Sequence, residues 1–482
     1  MRRYNITLWP IVASFLSRLF KPLVTRALDA AGGGKRWANQ PRIIALNQDL
    51  LGGATVAAQR ASYFARNNPN VAAAIASIVG NAVGTGIKPR STHPDAAVRN
   101  RLHELWDQWE RLADASGRPG GFYAQQALAV RAMIEGGESF ARLRTQPPDA
   151  GLPVPLQIEL IARDQVPTNQ WMDLRPGGAI RSGIEFDANG RRVAFWMLPF
   201  NPNDPTLPMI APTWQPTRIP AEDVLHMFRD LVENQLRGLT WLAPVLLRCR
   251  ELDQYEDAAL VRAKVSAMMA GFILNKDAEN PTWKAPPGTD TPSLEPGMLV
   301  PLNPGESVEF TNPPDDKNYT DFTKNHLRAI AVGIGCTYFQ ASGDLKEANY
   351  SSLRGGLVEF RRQMEQLQHL VIVPQFCDPV WRRFVTLAVM SGAIDAPDFF
   401  TNPEPYLAAD WLPPAWDWVD PKKDIEAINA GLKSRAQSVA ETGADVEDVD
   451  EQIAADHARE QRLGLSFTAP RLAVPPQVPE NP

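Results

Sequence analysis

Apolar residues recur every three or four positions over several long stretches of this 482-residue chain, a spacing that predicts helices. Across residues 54–82 the set is Ala57, Ala61, Phe64, Val71, Ile75, Ile78 and Val79. Pro69 divides that stretch in two, because proline has no amide hydrogen to donate, and Asn67 or Asn68 is placed to cap the second helix. Leu102, Leu105, Trp106, Trp109 and Leu112 mark another helix, whose two tryptophans are expected in the core, and 122–136 a further one. The pattern then turns to alternation. Strands are expected at Glu138–Arg144, Leu156–Ile161, 183–187 and 193–198, with Asp187–Gly190 as a hairpin turn. Seven prolines over 199–220 predict an extended excursion, after which Ile219–Phe228 reads as one strand.

Helical spacing resumes at Val245, Cys249, Leu252, Tyr255, Ala259, Leu260, Ala263 and Met268, predicting a helix from Leu242 to Ala270, about 40 Å long. A proline-rich insert at 276–315 contains strand candidates at Gly297–Leu302 and Ser307–Phe310. A second helix carries Phe322, His326, Ile330 and Ile334 and ends at the glycines Gly333 and Gly335. A polar loop at 338–349 then leads to a third helix, 350–373. Its stripe is Leu353, Leu357, Phe360, Met364, Leu367 and Val371, and Pro374 is expected to stop it. Beyond a helix at 379–391 come a Trp/Pro-rich segment at 410–421, a polar helical stretch from Pro421 to Gly464, and a tail from Pro470 whose composition is that of disorder.

Composition adjusts this picture only slightly. With 44% apolar and 22% charged residues the chain can bury a sizeable core, and its 43 prolines punctuate the helices with long connections. The net charge of −6 argues against tight, static DNA binding, which needs a basic surplus to neutralise phosphates. Three cysteines, Cys249, Cys336 and Cys377, form no CxxC pair, as expected for assembly in a reducing cytoplasm. The first 30 residues open on an apolar run from Ile6 to Leu16. Pro10 interrupts it and Arg18 and Lys21 follow, so it reads as an arm packing on a neighbour or scaffold, not as a leader or a membrane span.

Candidate catalytic chemistry is not found. Gly32–Arg36 lacks the spacing and the hydroxyl of a phosphate loop, and Gly84-Thr-Gly86 has no third glycine. The six histidines form neither HExxH nor HxH, and no GxSxG elbow occurs. A DNA-processing or capsid-maturation enzyme, the alternative reading, would need one of these. No cofactor, metal or catalytic residue is expected.

Three blocks carry a resemblance. The first is Arg60-Ala-Ser-Tyr-Phe-Ala-Arg-Asn-Asn-Pro69 with Ile78-Val-Gly-Asn-Ala-Val-Gly-Thr-Gly-Ile87. The second is Arg237-Gly-Leu-Thr-Trp-Leu-Ala-Pro-Val-Leu246 with Leu252–Leu260. The third is Arg328-Ala-Ile-Ala-Val-Gly-Ile-Gly335 with Tyr338 and Asn349-Tyr-Ser-Ser-Leu-Arg354, and Val419–Asp424 adds to it. In this order and spacing they resemble the lambda-type family of tailed-phage portal proteins. The resemblance implies an α+β portal fold whose subunits form a ring of about twelve copies at the capsid's portal vertex, in the virion.

On that pattern residues 1–53 are an N-terminal arm, 54–236 the wing, 237–275 the first stem helix, and 276–315 the clip. Residues 316–337 are the second stem helix, 338–349 the tunnel loop, 350–421 the long helix and wing return, and 422–482 the crown and tail. The tunnel loop, with Ser342, Asp344, Lys346, Glu347 and Asn349, is the expected DNA-facing site. The implied partners are further copies of the chain, the terminase large subunit, scaffold and major capsid protein, head–tail joining proteins, and double-stranded DNA in transit, with no stable membrane association.

Overall fold

Asn68 sets the first joint. In the computed structural model, which describes residues 45–174, 177–204, 215–267, 271–275, 306–310, 319–346, 350–414, 421–441 and 446–465, helices α1 (Leu46–Asn67) and α2 (Pro69–Ala82) meet there. The Asn68 side chain accepts from Val71 N at 3.0 Å, capping α2, and donates to Asp253 Oδ1 at 2.8 Å. Pro69 takes the first helical position, where no intrahelical donor is required. Helix α1 begins well before residue 54, because Leu50 and Ala54 already face the core. The described residues from Leu46 onward belong to one compact unit.

Strand β1 (Lys88–Ser91), helix α3 (Ala96–Trp109) and helix α4 (Gly121–Gly136) complete the first half of the core. Asp95 caps α3 through Ala97 N. Trp106 and Trp109 are buried as expected, with their ring centroids 4.8 Å apart, and Trp109 Nε1 donates to Leu156 O at 2.7 Å. Phe122, Phe376, Trp381 and Phe384 join the same aromatic cluster. The tryptophans are therefore core residues, and their polar edges are satisfied.

Two antiparallel sheets follow. Strands β2 (Glu138–Thr145), β3 (Leu156–Ile161), β4 (Met172–Leu174), β5 (Gly178–Arg181), β6 (Ile184–Asp187), β7 (Arg192–Met197), β8 (Thr217–Pro220) and β9 (Val224–Phe228) divide into a three-stranded sheet, β3-β2-β9, and a five-stranded meander, β4 to β8. Period-two alternation sends Ala141 and Leu143 of β2 into the main core, while Phe140 packs in a second cluster with Val166, Ile184, Phe195 and Ile219. The single strand expected over Ile219–Phe228 is in fact two, in different sheets. Pro220 ends β8 because it has no amide to continue the pairing, and the turn Ala221–Asp223 redirects the chain into β9.

Helix α5 (Leu246–Ala267) begins later than its apolar pattern suggests, and the expected last residues, 268–270, lie outside the described residues. Thr240 Oγ1 accepts from Leu242 N in a turn before it, and after it the chain enters β10 (Gly271–Asn275). Strand β10 pairs with β11 (Glu306–Phe310), which contains the expected Ser307–Phe310. The candidate at Gly297–Leu302 lies outside the described residues, as do residues 276–305 and the tail from 466. Helix α6 (Tyr319–Ile334) packs on α5 through Tyr255, whose ring centroid is 4.6 Å from that of Phe322.

Helix α7 (Tyr338–Ser342) precedes α8 (Tyr350–Leu367). Pro374 does not stop the helix that begins at Tyr350. A π-helical stretch, Gln368–Cys377, carries the rod through the proline into α9 (Asp378–Met390). Wider turns accommodate the missing amide, and Gln368, buried beneath them, donates to Ala82 O at 2.8 Å. Helix α10 (Glu404–Leu407) leads to β12 (Ala409–Leu412), which pairs with β1. The polar C-terminal stretch resolves into α11 (Pro421–Asn429), α12 (Arg435–Glu441) and α13 (Val446–Leu463). Glu447 of α13 reaches back to Arg99 and Arg90. All three cysteines are free and buried.

Candidate functional site

The polar loop expected at 338–349 begins as a helix. Gly335, at φ 100°, turns the chain out of α6, and Thr337 then caps α7 reciprocally. Thr337 Oγ1 accepts from Gln340 N, and Thr337 N donates to Gln340 Oε1 at 2.9 Å. Gly343, at φ 67°, terminates this single turn in the left-handed conformation that glycine adopts without strain. Ala341 is buried in the main cluster, so this part of the expected loop is anchored.

Two of the predicted site residues are occupied in holding that shape. Ser342 Oγ donates to Tyr338 O at 2.8 Å and accepts from Asp344 N at 3.2 Å. Asp344 accepts from Lys346 N at 3.1 Å with one oxygen and from Tyr338 Oη at 3.2 Å with the other. The bond from Lys346 N holds its carboxyl below the ordinary aspartate range, aided by Tyr338 and by the positive charges of Lys324 and Lys346. Lys346 is exposed, as is Leu345 before it. Glu347 and Asn349 lie outside the described residues. Arg328 of α6 lies over the Tyr338 ring, its guanidinium carbon 5.4 Å from the centroid. Sequence reading did not place Lys324 or Arg328 at this loop, although Arg328 opens the third resemblance block, since only the fold brings α6 beside it.

A second polar constellation, also missed, is buried where the two sheets meet. Glu138, at the start of β2, accepts from Arg237 Nε at 2.9 Å and Nη2 at 2.7 Å, Arg163 Nε at 3.0 Å, His226 Nε2 at 2.9 Å and Gly238 N at 3.0 Å. Burial alone would raise its pKa, but these cationic and hydrogen-bonding partners outweigh it and hold the carboxyl well below its usual range. Arg237 also donates to Val166 O and Ser182 O, tying in the meander. His226 lies between Phe140 and Phe228, and its Nδ1 faces Arg192. Burial lowers its pKa to about 4, so it is neutral at pH 7. The backbone at Gly238 passes so close to Gly137 that a Cβ there would stand 2.0 Å from Gly137 O. That approach delivers the Gly238 amide to the carboxylate. A ready signal existed in sequence only for Arg237, which falls in the second resemblance block.

Neither constellation pairs an activated nucleophile with a base. Among the described residues no cluster of three His, Cys, Asp or Glu is placed to hold a metal, and no helix is long and apolar enough to cross a membrane. These features describe a protein built on mixed helix and sheet, with one braced loop and a buried internal joint. Residues 33–368 match the model of the phage portal protein, lambda family, and the chain belongs to that family. It is a portal-vertex component of the phage virion, not an enzyme.

Among its relatives, a probable portal protein of Halomonas phage phiHAP-1 is 28% identical over 395 residues, covering 77% of this chain and 73% of that one. The portal protein of Escherichia phage N15 is 24% identical, covering 59% of this chain and 60% of its own length. Portal protein B of Escherichia phage lambda is 23% identical, with 59% of each chain covered. This chain thus spans about three-fifths of the length of the last two. Solved structures similar to it include a chain of the native gene transfer agent virion, at TM-score 0.42 and 14% identity, covering 91% of this chain and 98% of that one. Another is a chain of the neck of the native particle, at TM-score 0.45 and 14% identity, covering 88% of this chain and all of that one.

Proposed function

We propose that this chain closes into a ring of about twelve copies at one vertex of the capsid, forming the channel through which double-stranded DNA is packaged and ejected. Helices α5 and α6 are the stem, 276–315 is the clip that meets the terminase motor, and 338–349 lines the channel. Residues 54–236 form the outer wing, and 422–465 the crown. Scaffold, major capsid and head–tail joining proteins are its further partners, and assembly takes place in the host cytoplasm.

The observation that carries this reading is the outward surface of the two stem helices. Leu247 is 72% exposed, Leu260 53%, Val261 58% and Val332 77%. Apolar side chains laid along paired helices call for cover, and head-to-tail copies related by rotation supply it. The test is the mass and shape of the purified protein, by light scattering combined with negative-stain imaging. The expected species is an annulus of about 640 kDa, twelve chains of 53.3 kDa each, with a central hole. A folded monomer or dimer at micromolar concentration overturns the reading.

A further inference from the structure

A cavity of about 610 Å³ opens between the turn after β9, Trp241 ahead of α5, and the long helix that runs from α8 into the π-helical stretch. That is the size of a pocket for a ligand of several side chains. Its walls are apolar: Trp241, Met364, Leu367 and Val371 are buried, and Leu370 beside them stays 63% exposed. The Trp241 backbone amide donates to Ile134 O at 3.1 Å, which holds the residue in place, and its ring is only 7% exposed. Yet Trp241 Nε1 is buried with no acceptor in the folded chain. A buried indole N–H is normally satisfied, so this donor calls for one. Arg229 lies over the same ring, its guanidinium carbon 4.4 Å from the centroid. Among the described residues no carboxylate bears on Arg229. Asp230, the one acidic residue lining the cavity, acts instead on the charge of Arg192. Gln363, Gln366 and Gln375 complete the lining. Each amide can both donate and accept, as a peptide main chain requires, and Gln375, whose Oε1 accepts from Phe228 N, keeps its amino group to donate.

We propose that this cavity binds an acidic peptide segment of a partner protein. Its apolar side chains rest on Trp241, Met364, Leu367 and Leu370, its carboxylate meets Arg229, and one of its main-chain carbonyls accepts from Trp241 Nε1. Arg229 presents a planar fork suited to a carboxylate, and stacking on the indole restrains that fork before the ligand arrives. The apolar walls keep water from the pair and so strengthen it. A nucleic-acid phosphate would satisfy Arg229 but leave the walls bare, and a basic peptide would repel it. The site lies within one copy of the chain, so it stands apart from the ring reading above.

The experiment titrates the full chain, in the assembly it forms, with acetyl-Ser-Leu-Phe-Asp-Ser-amide and its asparagine counterpart, and reads binding by calorimetry and assembly by light scattering. Wild type should hold the aspartate peptide about tenfold more tightly than the asparagine peptide, the difference expected of one charge-assisted pair. R229Q should erase that difference by weakening the aspartate peptide alone. W241F keeps an aromatic wall but loses the N–H, so it should weaken both peptides alike, by about threefold to tenfold. Arg229 is exposed, so R229Q decides the matter even where W241F fails to fold. Equal binding of the two peptides by wild type, or saturable binding of neither up to about 1 mM, overturns the site. So does an assembly that excludes both peptides and loosens on R229Q, because a neighbouring copy then covers the cavity.

Discussion

Replacing Glu138 by glutamine leaves the shape of the buried joint almost unchanged and removes the carboxylate at its centre. Five donors converge on two carboxylate oxygens that are completely buried, and Arg237 is 2% exposed. Glutamine offers one acceptor oxygen, and its amide would turn two further donors toward groups that are already donors. Arg237 cannot shed its proton, so the substitution strands a buried guanidinium. Removing one member of such a pair costs about 3–5 kcal/mol, and the expected loss for Glu138→Gln lies near the middle, about 4 kcal/mol. Urea unfolding of wild type and variant at one protein concentration reads this as a shift in midpoint at unchanged slope. The double variant Glu138→Gln/Arg237→Met should lose less than the two single losses added together, since the second change removes the charge stranded by the first. A cost for Glu138→Gln below about 1 kcal/mol, or strict additivity in the double variant, would refute the account of Glu138 as an electrostatic keystone.

Two other outcomes follow from the same geometry. His226 has its folded pKa lowered to about 4 from 6.5, so the stability it contributes is complete above pH 6.5 and is lost as pH falls through about 4. Glu138, also lowered, acts in the same direction below its ordinary range, so unfolding free energy should rise from pH 4 to 6.5 with a limiting slope near 1.4 kcal/mol per pH unit for His226. His226→Phe should flatten that stretch of the curve, and a profile identical to wild type would contradict it. Asn68→Ala removes both the α2 cap and the bond to Asp253, and should cost about 1–2 kcal/mol by urea unfolding. Asn68→Asp, which keeps the cap but faces Asp253 with a like charge, should recover only part of that loss.

Where a single periodicity governs a segment, the fold was legible in the sequence. The helix around Trp106 and Trp109, the helix at 121–136 and the strands beginning at Glu138 and Leu156 lie where apolar spacing puts them, because burial of one face is decided locally. Pro69 marked Asn67 or Asn68 as the cap, and the structure takes Asn68. The break at Ala221–Asp223 was missed although the polar pair Glu222-Asp223 interrupts the alternation there, because which sheet each strand joins is decided by distant partners. Pro374 misled for a related reason. The rule that proline ends a helix assumes α-geometry, and here the helix widens instead. The Glu138 joint was least legible of all. Arg163, His226 and Arg237 stand 25, 88 and 99 residues from their shared carboxylate, and each alone resembles an ordinary surface charge until the fold buries it. Of the loop expected at 338–349, sequence identified the polar stretch but not the capped turn that commits Ser342 and Asp344 to its own backbone.

The three buried thiols have a practical consequence for labelling. Burial pushes Cys249 and Cys336 up to about 12 and Cys377 higher still, so at neutral pH almost none of any of them is thiolate, the form that attacks maleimides and oxidants. They are the chain's only cysteines. The folded protein is thus a silent background for sulfur chemistry, and a single cysteine placed at the exposed position of Lys346 becomes its one fast-reacting handle. A spin label or dye attached there would appear once per subunit, and in the ring proposed above, with 338–349 lining its channel, distances between copies would report the width of that channel.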